Sequence, residues 1–146
     1  MQVHFGDLLA VAFQTGTTAG TIGITVELGG VTDRKAIVIP PAPVGIVSAQ
    51  GTKSANSVEL RVSGFDNTRT AGAIVYTFYD AVGAALPPIA VENSADFAAF
   101  FAASDTGGAF ALRAVFPVTG DTSKIAAFEV ELKNSAGTAS TGRVRL

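Results

Sequence analysis

The residues that could carry out chemistry are few. His4 is the single histidine of the 146-residue chain, and there is no cysteine. A thiol nucleophile, a disulfide framework and a thiolate metal site are therefore excluded. A serine–histidine–aspartate arrangement would depend on His4 alone, and no Gly-x-Ser-x-Gly turn occurs. We predict that the protein has no catalytic residues and is not an enzyme.

Two glutamates have a spacing that glycoside hydrolysis can use. Glu129 and Glu131 are two residues apart in an alternating segment, so on a strand their side chains share a face about 7 Å apart. Lys133 continues the same row. We interpret the row as a solvated strand face that supports solubility.

Calcium is the best metal candidate, because oxygen ligands alone can hold it. The acidic loop residues do not follow the spacing of a dedicated calcium loop, and turn formation explains them better. The glycines between Gly16 and Gly20 lack the lysine and the helix of a phosphate loop. We therefore predict no metal site and no cofactor. The acidic candidates considered are Asp33, Asp66 with Asn67 and Thr68, Asp105 and Asp121.

A carbohydrate-binding surface needs exposed aromatic rings. The chain has no tryptophan, and its two tyrosines, Tyr76 and Tyr79, lie in a segment that is apolar on both faces. Phe5, Phe13 and Phe65 remain as possible exposed rings. We interpret Phe65 as the edge of a core, so a carbohydrate-binding module is the weaker alternative.

The elements that must position these residues are mostly strands. Apolar and polar residues alternate with period two in several segments, which is typical of half-buried strands. The segment 73–79 is predicted to be a central strand covered on both faces. Turn residues separate these segments about every ten positions, as in antiparallel β-domains. The alternating segments are 21–28, 57–63, 110–117 and 126–133.

A single helix is predicted at about 94–104. Asn93 and Ser94 are suited to cap its start, and Gly107-Gly108 is expected to end it. Phe97, Phe100 and Phe101 fall on one face, which we expect to pack in the core over the outer face of the central strand.

An internal repeat indicates how the chain is divided. The strand 24–28 and its following strand resemble 128–132 and its following strand, and Leu132 lies 104 positions after Leu28. That distance is close to the length of an immunoglobulin-like domain, about 100 residues. Residues 1–39 are then the terminal hairpin of a preceding repeat, 40–43 a proline-rich linker, and 44–146 a sandwich domain. The alternative is a proline-rich loop within one larger sandwich.

Composition narrows the class of protein further. Ten basic and twelve acidic residues give a net charge of −2, which argues against a nucleic-acid-binding protein. Charged residues make up 15% and hydrophobic residues 48% of the chain, the opposite of a disordered sequence. No apolar run approaches the roughly 20 residues of a membrane span, and no signal peptide is recognisable.

Three stretches resemble bacterial immunoglobulin-like repeats of large secreted or surface proteins of acidobacterial type: 13–22, 62–69 and 116–138. The resemblance implies an antiparallel immunoglobulin-like β-sandwich, a tandem arrangement, and an extracellular or cell-surface location. It implies no activity. The chain departs from the pattern of this family at its start, where the first of the two repeats lacks its opening strands.

We therefore expect a non-catalytic structural or adhesion module whose partners are neighbouring repeats or other copies of itself. Membrane insertion is not expected. The alternative is a subunit of an extracellular filament in which a strand of one protomer completes the sheet of the next.

Overall fold

The computed structural model describes residues 14–146, which are mostly β-structure with one α-helix. All five segments predicted as strands, including 73–79, are strands. In chain order the elements are β1 (Gly20–Leu28), β2 (Val31–Ile39), β3 (Gly45–Lys53), β4 (Ser57–Phe65), β5 (Ala73–Asp80), β6 (Ile89–Glu92), α1 (Ser94–Ala103), β7 (Ala109–Pro117), β8 (Ile125–Asn134), β9 (Gly137–Ser140) and β10 (Val144–Arg145), with a short 3-10 turn at Thr122–Lys124.

The strands form three antiparallel sheets. The first is the hairpin β1–β2, the second has the order β3-β4-β7, and the third has the order β6-β5-β8. The free side of β8 pairs with β9 near one end and with β10 near the other. The prediction that β5 is a central strand is confirmed, since it lies between β6 and β8.

The second and third sheets share one hydrophobic core. Alternate residues of β4, β5 and β8 point into it, which is why these strands show period-two patterning in the sequence. Phe116 of β7 adds an aromatic contact between the sheets, with its ring 4.8 Å from that of Tyr76 and 5.2 Å from that of Phe78. The inward residues of the three core strands are Val58, Leu60, Val62, Ile74, Tyr76, Phe78, Phe128, Val130 and Leu132.

Helix α1 lies where predicted, but its surroundings differ from the prediction. Phe97 and Phe101 are buried in the shared core, and the ring of Phe97 is 5.5 Å from that of Phe110 on β7. The expectation that the helix covers the outer face of β5 is therefore wrong, because these rings enter the space between the sheets. Phe100 is 43% exposed, so only two of the three phenylalanines pack as expected.

The predicted start of the helix at residue 94 is confirmed, and its end lies one residue before the predicted position 104. Asn93 occupies the N-cap position, but its side chain makes no capping hydrogen bond. The hydroxyl of Ser94 instead bonds the carboxylate of Glu92. The helix ends at Ala103, before Gly107, because Ser104 already has an extended backbone.

The hairpin β1–β2 pairs with no other strand of the described part of the chain. Leu28 pairs with Val31 across a two-residue turn, Gly29-Gly30, in which both glycines have positive φ. Such turns favour glycine because a side chain would be strained there. The hairpin predicted within residues 1–39 is thus present, whereas the assignment of 1–39 to a preceding repeat stays a prediction.

Candidate functional site

Asn67 joins the base of the hairpin to the body formed by residues 44–146. Its Nδ2 donates to the carbonyl oxygen of Pro40 at 2.9 Å, and its Oδ1 accepts from the backbone N–H of Ala42 at 3.0 Å. Its own carbonyl accepts from the N–H of Ala19 at 2.8 Å. One residue therefore holds the chain just before β1 and just after β2.

Asp66, next to Asn67, organises the loop between β4 and β5. Its side chain is fully buried and accepts hydrogen bonds from the backbone N–H groups of Thr68, Thr70 and Ala71, at 2.8–2.9 Å. The hydroxyl of Thr68 adds a further bond at 2.7 Å. The interpretation of this segment as turn chemistry is confirmed.

Burial and hydrogen bonding act in opposite directions on the pKa of Asp66. Burial raises the pKa, while the hydrogen bonds from Thr68, Asn134 and Ala71 lower it and together prevail. The pKa is therefore below its ordinary value, and the carboxylate is charged at neutral pH.

Asn134 connects Asp66 to the linker. Its Nδ2 donates to Asp66 Oδ1 and to the carbonyl of Ala42, both at 2.8 Å, and its Oδ1 accepts from the N–H groups of Ala136 and Gly137. Four hydrogen bonds use the whole amide, so its orientation is fixed. We name the side chains of Asp66, Asn67 and Asn134 the junction cluster.

The loop that carries the junction cluster is braced from two further directions. Arg69 has a φ of 55° and donates from Nε to the carbonyl of Gly107 at 3.0 Å. The Thr70 hydroxyl donates a hydrogen bond to the hydroxyl of Ser135 and accepts one from the backbone N–H of Ser135. A Cβ on Gly108 would lie 2.5 Å from the carbonyl oxygen of Asp66, so this close approach requires glycine.

The junction cluster contains one residue that sequence reasoning missed. Asn134 ends β8 and follows Phe128, Val130 and Leu132 in the inward-facing row of that strand. A polar side chain in a buried row requires hydrogen-bond partners. This position in the alternation was the signal that could have identified it.

The two glutamates considered for hydrolysis have different surroundings. Glu129 accepts hydrogen bonds from Tyr79 at 2.7 Å and from Ser140 at 2.5 Å, and these bonds lower its pKa. Glu131 is exposed on the same face of β8. The guanidinium of Arg143 stacks 3.7 Å from the centre of the Tyr79 ring. Glu129 therefore belongs to a cross-strand polar cluster on the outer face of the third sheet.

The other candidates lie apart from one another. Asp121 accepts from the N–H of Ser123 at the 3-10 turn, Asp33 lies on β2, and Asp105 follows α1. Within residues 14–146, no three metal-ligating side chains lie together and no buried side-chain polar atom lacks a partner. His4, Phe5 and Phe13 lie outside the described residues.

The aromatic candidates are largely buried. Tyr76 and Tyr79 are 3% and 8% exposed, and Phe65 is half-buried. Phe100 contributes to a small pocket of about 140 Å³ between α1 and β7, where Phe97, Phe110 and Asp96 also lie.

Comparison with known proteins provides no assignment. No protein-family model matches the chain, and no curated protein or solved structure is significantly similar to it. Within residues 14–146, no helix combines the length and apolar character needed to cross a membrane.

Proposed function

We propose that this chain is a non-catalytic structural module of a secreted or cell-surface protein built from tandem immunoglobulin-like repeats. In this proposal residues 44–146 are one sandwich domain, and the hairpin belongs to the repeat before it. The proline-rich segment 40–43 joins the two.

The strand order supports the immunoglobulin-like assignment. In such sandwiches the first, second and fifth strands of the domain share one sheet, and the third, sixth and seventh share the other. Here β3, β4 and β7 form one sheet, and β5 and β8 lie in the other with β9 and β10 completing its far edge. Strand β6, the fourth strand of the domain, extends that sheet beside β5 and so departs from the pattern, in which the fourth strand lies with the first, second and fifth.

The junction cluster is the observation that carries the functional proposal. Proline-rich linkers act as semi-rigid spacers, and here the linker is also bonded to the body through Pro40 and Ala42. A spacer in a tandem array needs a fixed angle between its units, and a hydrogen-bonded linker can supply one. The fixed junction therefore favours a structural role.

The experiment measures the orientation of the hairpin relative to the body in the full chain. We expect NMR residual dipolar couplings of β1–β2 and of β4–β8 to fit one alignment tensor in the wild type. Asn67→Ala removes two of the hydrogen bonds to the linker, so the couplings of the hairpin should shrink while those of the body remain. Asn56→Ala, at an exposed asparagine outside the junction, is the control.

Independent tensors for hairpin and body in the wild type would refute the fixed junction.

Location is tested separately by brief protease treatment of intact producing cells, which should release peptides of this chain. Light scattering and electron microscopy test the filament alternative. Dispersed monomers at all concentrations would support the structural module, whereas ordered fibres would favour a filament subunit instead.

A further inference from the structure

Strand β7 ends the sheet β3-β4-β7, and within residues 14–146 no strand pairs with its other side. It pairs with β4 over its whole length without a bulge. Just outside the two ends of this pairing, the N–H of Val118 donates to the carbonyl of Asn56 and the N–H of Asp66 to that of Gly108, both at 2.9 Å. Hydrogen-bonded positions alternate along an antiparallel pair, so the even-numbered residues of β7 bond β4.

The odd-numbered residues of β7 therefore turn their backbone groups to the unpaired side. Ala111, Arg113 and Val115 present three N–H and three carbonyl groups there, which we name the β7 edge. Prolines, bulges and charged side chains are the usual means of blocking such an edge. In β7 the proline, Pro117, stands at the last position, and Arg113 is the only charged residue. The middle of the β7 edge thus has the geometry to accept a further strand.

The hydrophobic core is also open along the β7 edge. The inward residues of β4 are 2% exposed or less, whereas Leu112, Ala114 and Phe116, the corresponding residues of β7, are only half-buried. On the facing sheet, Ile89 of β6 pairs with the inward Tyr76 and is 40% exposed. A strand added to the β7 edge would direct every second side chain into this opening.

Helix α1 fills only one end of the opening. Phe97 packs on Phe110 near the start of β7, with 5.5 Å between the ring centres, while Phe100 remains 43% exposed. A pocket of about 140 Å³ lies between the helix and the strand, and Phe100, Leu112 and Asp96 are among its lining residues. The pocket leaves room for an apolar side chain of an added strand.

The outer face of the sheet β3-β4-β7 determines the charge that such a strand should carry. Its charged side chains are Glu59, Arg61 and Arg113, so the face has one positive charge in excess. The side chain of Arg113 is 63% exposed and belongs to β7 itself. The residue directly opposite it on an added strand would lie about 5 Å away, which favours an acidic residue there. Asp96, beside Ala111, disfavours a second acidic residue at that end.

We propose that the β7 edge binds an extended segment of another protein, which adds as an antiparallel fourth strand to the sheet β3-β4-β7. The segment carries apolar residues at alternate positions, which cover Leu112 and Ala114, and an acidic residue opposite Arg113. Main-chain hydrogen bonds supply the affinity in such strand addition, and side chains supply the specificity. This inference goes beyond the proposed structural role and does not depend on the tandem arrangement.

These features do not favour a second copy of β7 as the occupant. If two β7 strands paired antiparallel through all three odd-numbered positions, Arg113 would lie directly opposite Arg113 of the second copy. Like charges at directly opposite positions are destabilising. A segment with an acidic residue at this position replaces the repulsion by attraction.

The test is an NMR titration of the full chain with the capped peptide GTVEVTG, whose glutamate is designed to lie opposite Arg113. We expect the amides of Ala111, Arg113 and Val115 to exchange about fivefold more slowly when four-fifths of the protein is bound. The amides of Leu112 and Ala114 already bond β4 and should not change. No shifts in β7 at about 2 mM peptide, or shifts confined to another surface, would overturn the proposal.

Two further peptides test the charge and the main-chain pairing. GTVKVTG, with lysine in place of glutamate, should bind at least about fivefold more weakly. Methylation of the glutamate nitrogen of GTVEVTG should abolish binding, because that N–H faces the β7 edge, whereas methylation of the next valine nitrogen should not. Equal affinities of the glutamate and lysine peptides would refute the acidic segment, and equal effects of the two methylations would refute strand addition.

Two substitutions at one position test the β7 edge from the side of the protein. Val115→Pro removes an N–H that does not bond β4, a position at which edge strands tolerate proline. We expect it to weaken binding of GTVEVTG at least about tenfold, whereas Val115→Ala, which keeps the N–H, should stay within about threefold of the wild type. The amides of β4 and β8 report whether each variant is folded. Equal affinities of the two folded variants would overturn the proposal.

Discussion

Asp66 shows how a single buried carboxylate can organise a loop. Its oxygens accept four hydrogen bonds from the loop that follows and one from Asn134, so the charge is satisfied although the side chain is fully buried. Removing the carboxylate would leave buried N–H groups without acceptors. The free energy of unfolding then falls by more than the net contribution of the lost hydrogen bonds.

We predict that Asp66→Ala lowers the free energy of unfolding by about 3 kcal/mol or more. Asp105→Ala, at an exposed loop position, should change it by less than about 0.5 kcal/mol. Urea denaturation at pH 7 measures both. Equal stabilities of the two variants would contradict the structural role of Asp66.

The lowered pKa of Asp66 also predicts a pH dependence. Because its pKa is lower in the folded state than in the unfolded chain, its contribution is fully present above the unfolded value, about 3.9. The contribution is lost as the pH falls through the folded pKa. The difference in stability between wild type and Asp66→Ala should therefore shrink below pH 4, which urea titrations at several pH values would measure.

Glu59 is a second residue whose surroundings make a prediction. Arg61 and Arg113 are directly opposite each other on β4 and β7, an unfavourable arrangement that Glu59 relieves by binding both. Hydrogen bonds from Arg113 first, and from Arg61 second, lower the pKa of Glu59 to about 2. Arg113 contacts both carboxylate oxygens, whereas Arg61 contacts one.

We expect Arg113→Ala to raise the pKa of Glu59 more than Arg61→Ala does. Carboxyl ¹³C chemical shifts followed over pH in the wild type and both variants measure it. A wild-type Glu59 that titrates near its ordinary value of 4.5 would contradict the ion-pair geometry.

At the scale of elements, sequence alternation identified the strands that face the core on one side. It missed β3, because its inward positions include Ala49 and Gly51 and a bulge between Ile46 and Ser48 interrupts the period of two. The spacing of the phenylalanines predicted the helix. The sequence pattern did not predict where their rings pack, because that depends on contacts with β7. Local sequence patterns also could not predict hydrogen bonds between distant residues, such as that between Asn67 and Pro40.

Glycines in two strands should respond differently to the same substitution. A Cβ at Gly64 of β4 would lie 2.6 Å from Phe110 Cζ and 2.7 Å from the carbonyl oxygen of Gly45, whereas a Cβ at Gly23 of β1 meets nothing within 4 Å. We predict that Gly64→Ala destabilises the protein by about 1–3 kcal/mol. Gly23→Ala should be neutral or slightly stabilising, because it restricts the unfolded chain. Thermal unfolding compares the two variants, and a reversed order would be inconsistent with the packing.

At the scale of the whole molecule, both sheets of the body depend on pairing between strands that are distant in sequence. Val58 pairs with Phe116 between β4 and β7, and Ile74 pairs with Leu132 between β5 and β8. Such pairings require the closure of long loops before any contact compensates for the entropy lost.

We therefore predict refolding of the body in about milliseconds to seconds. Stopped-flow fluorescence of Tyr76 and Tyr79 after dilution from urea measures this rate. Complete recovery of the signal within about 10 µs, the time of a local hairpin, would contradict the prediction.

The hydrogen bonds between the linker and the junction cluster all involve the main chain of the linker. Asn67 and Asn134 contact the carbonyl of Pro40 and the N–H and carbonyl of Ala42, and none of these bonds involves a linker side chain. In a family of such repeats, the residue types at positions 40–42 would be free to vary, while the number of residues between Ile39 and Val44 would stay constant. An alignment of such repeats would show a variable segment without gaps, followed far downstream by two invariant asparagines, the equivalents of Asn67 and Asn134.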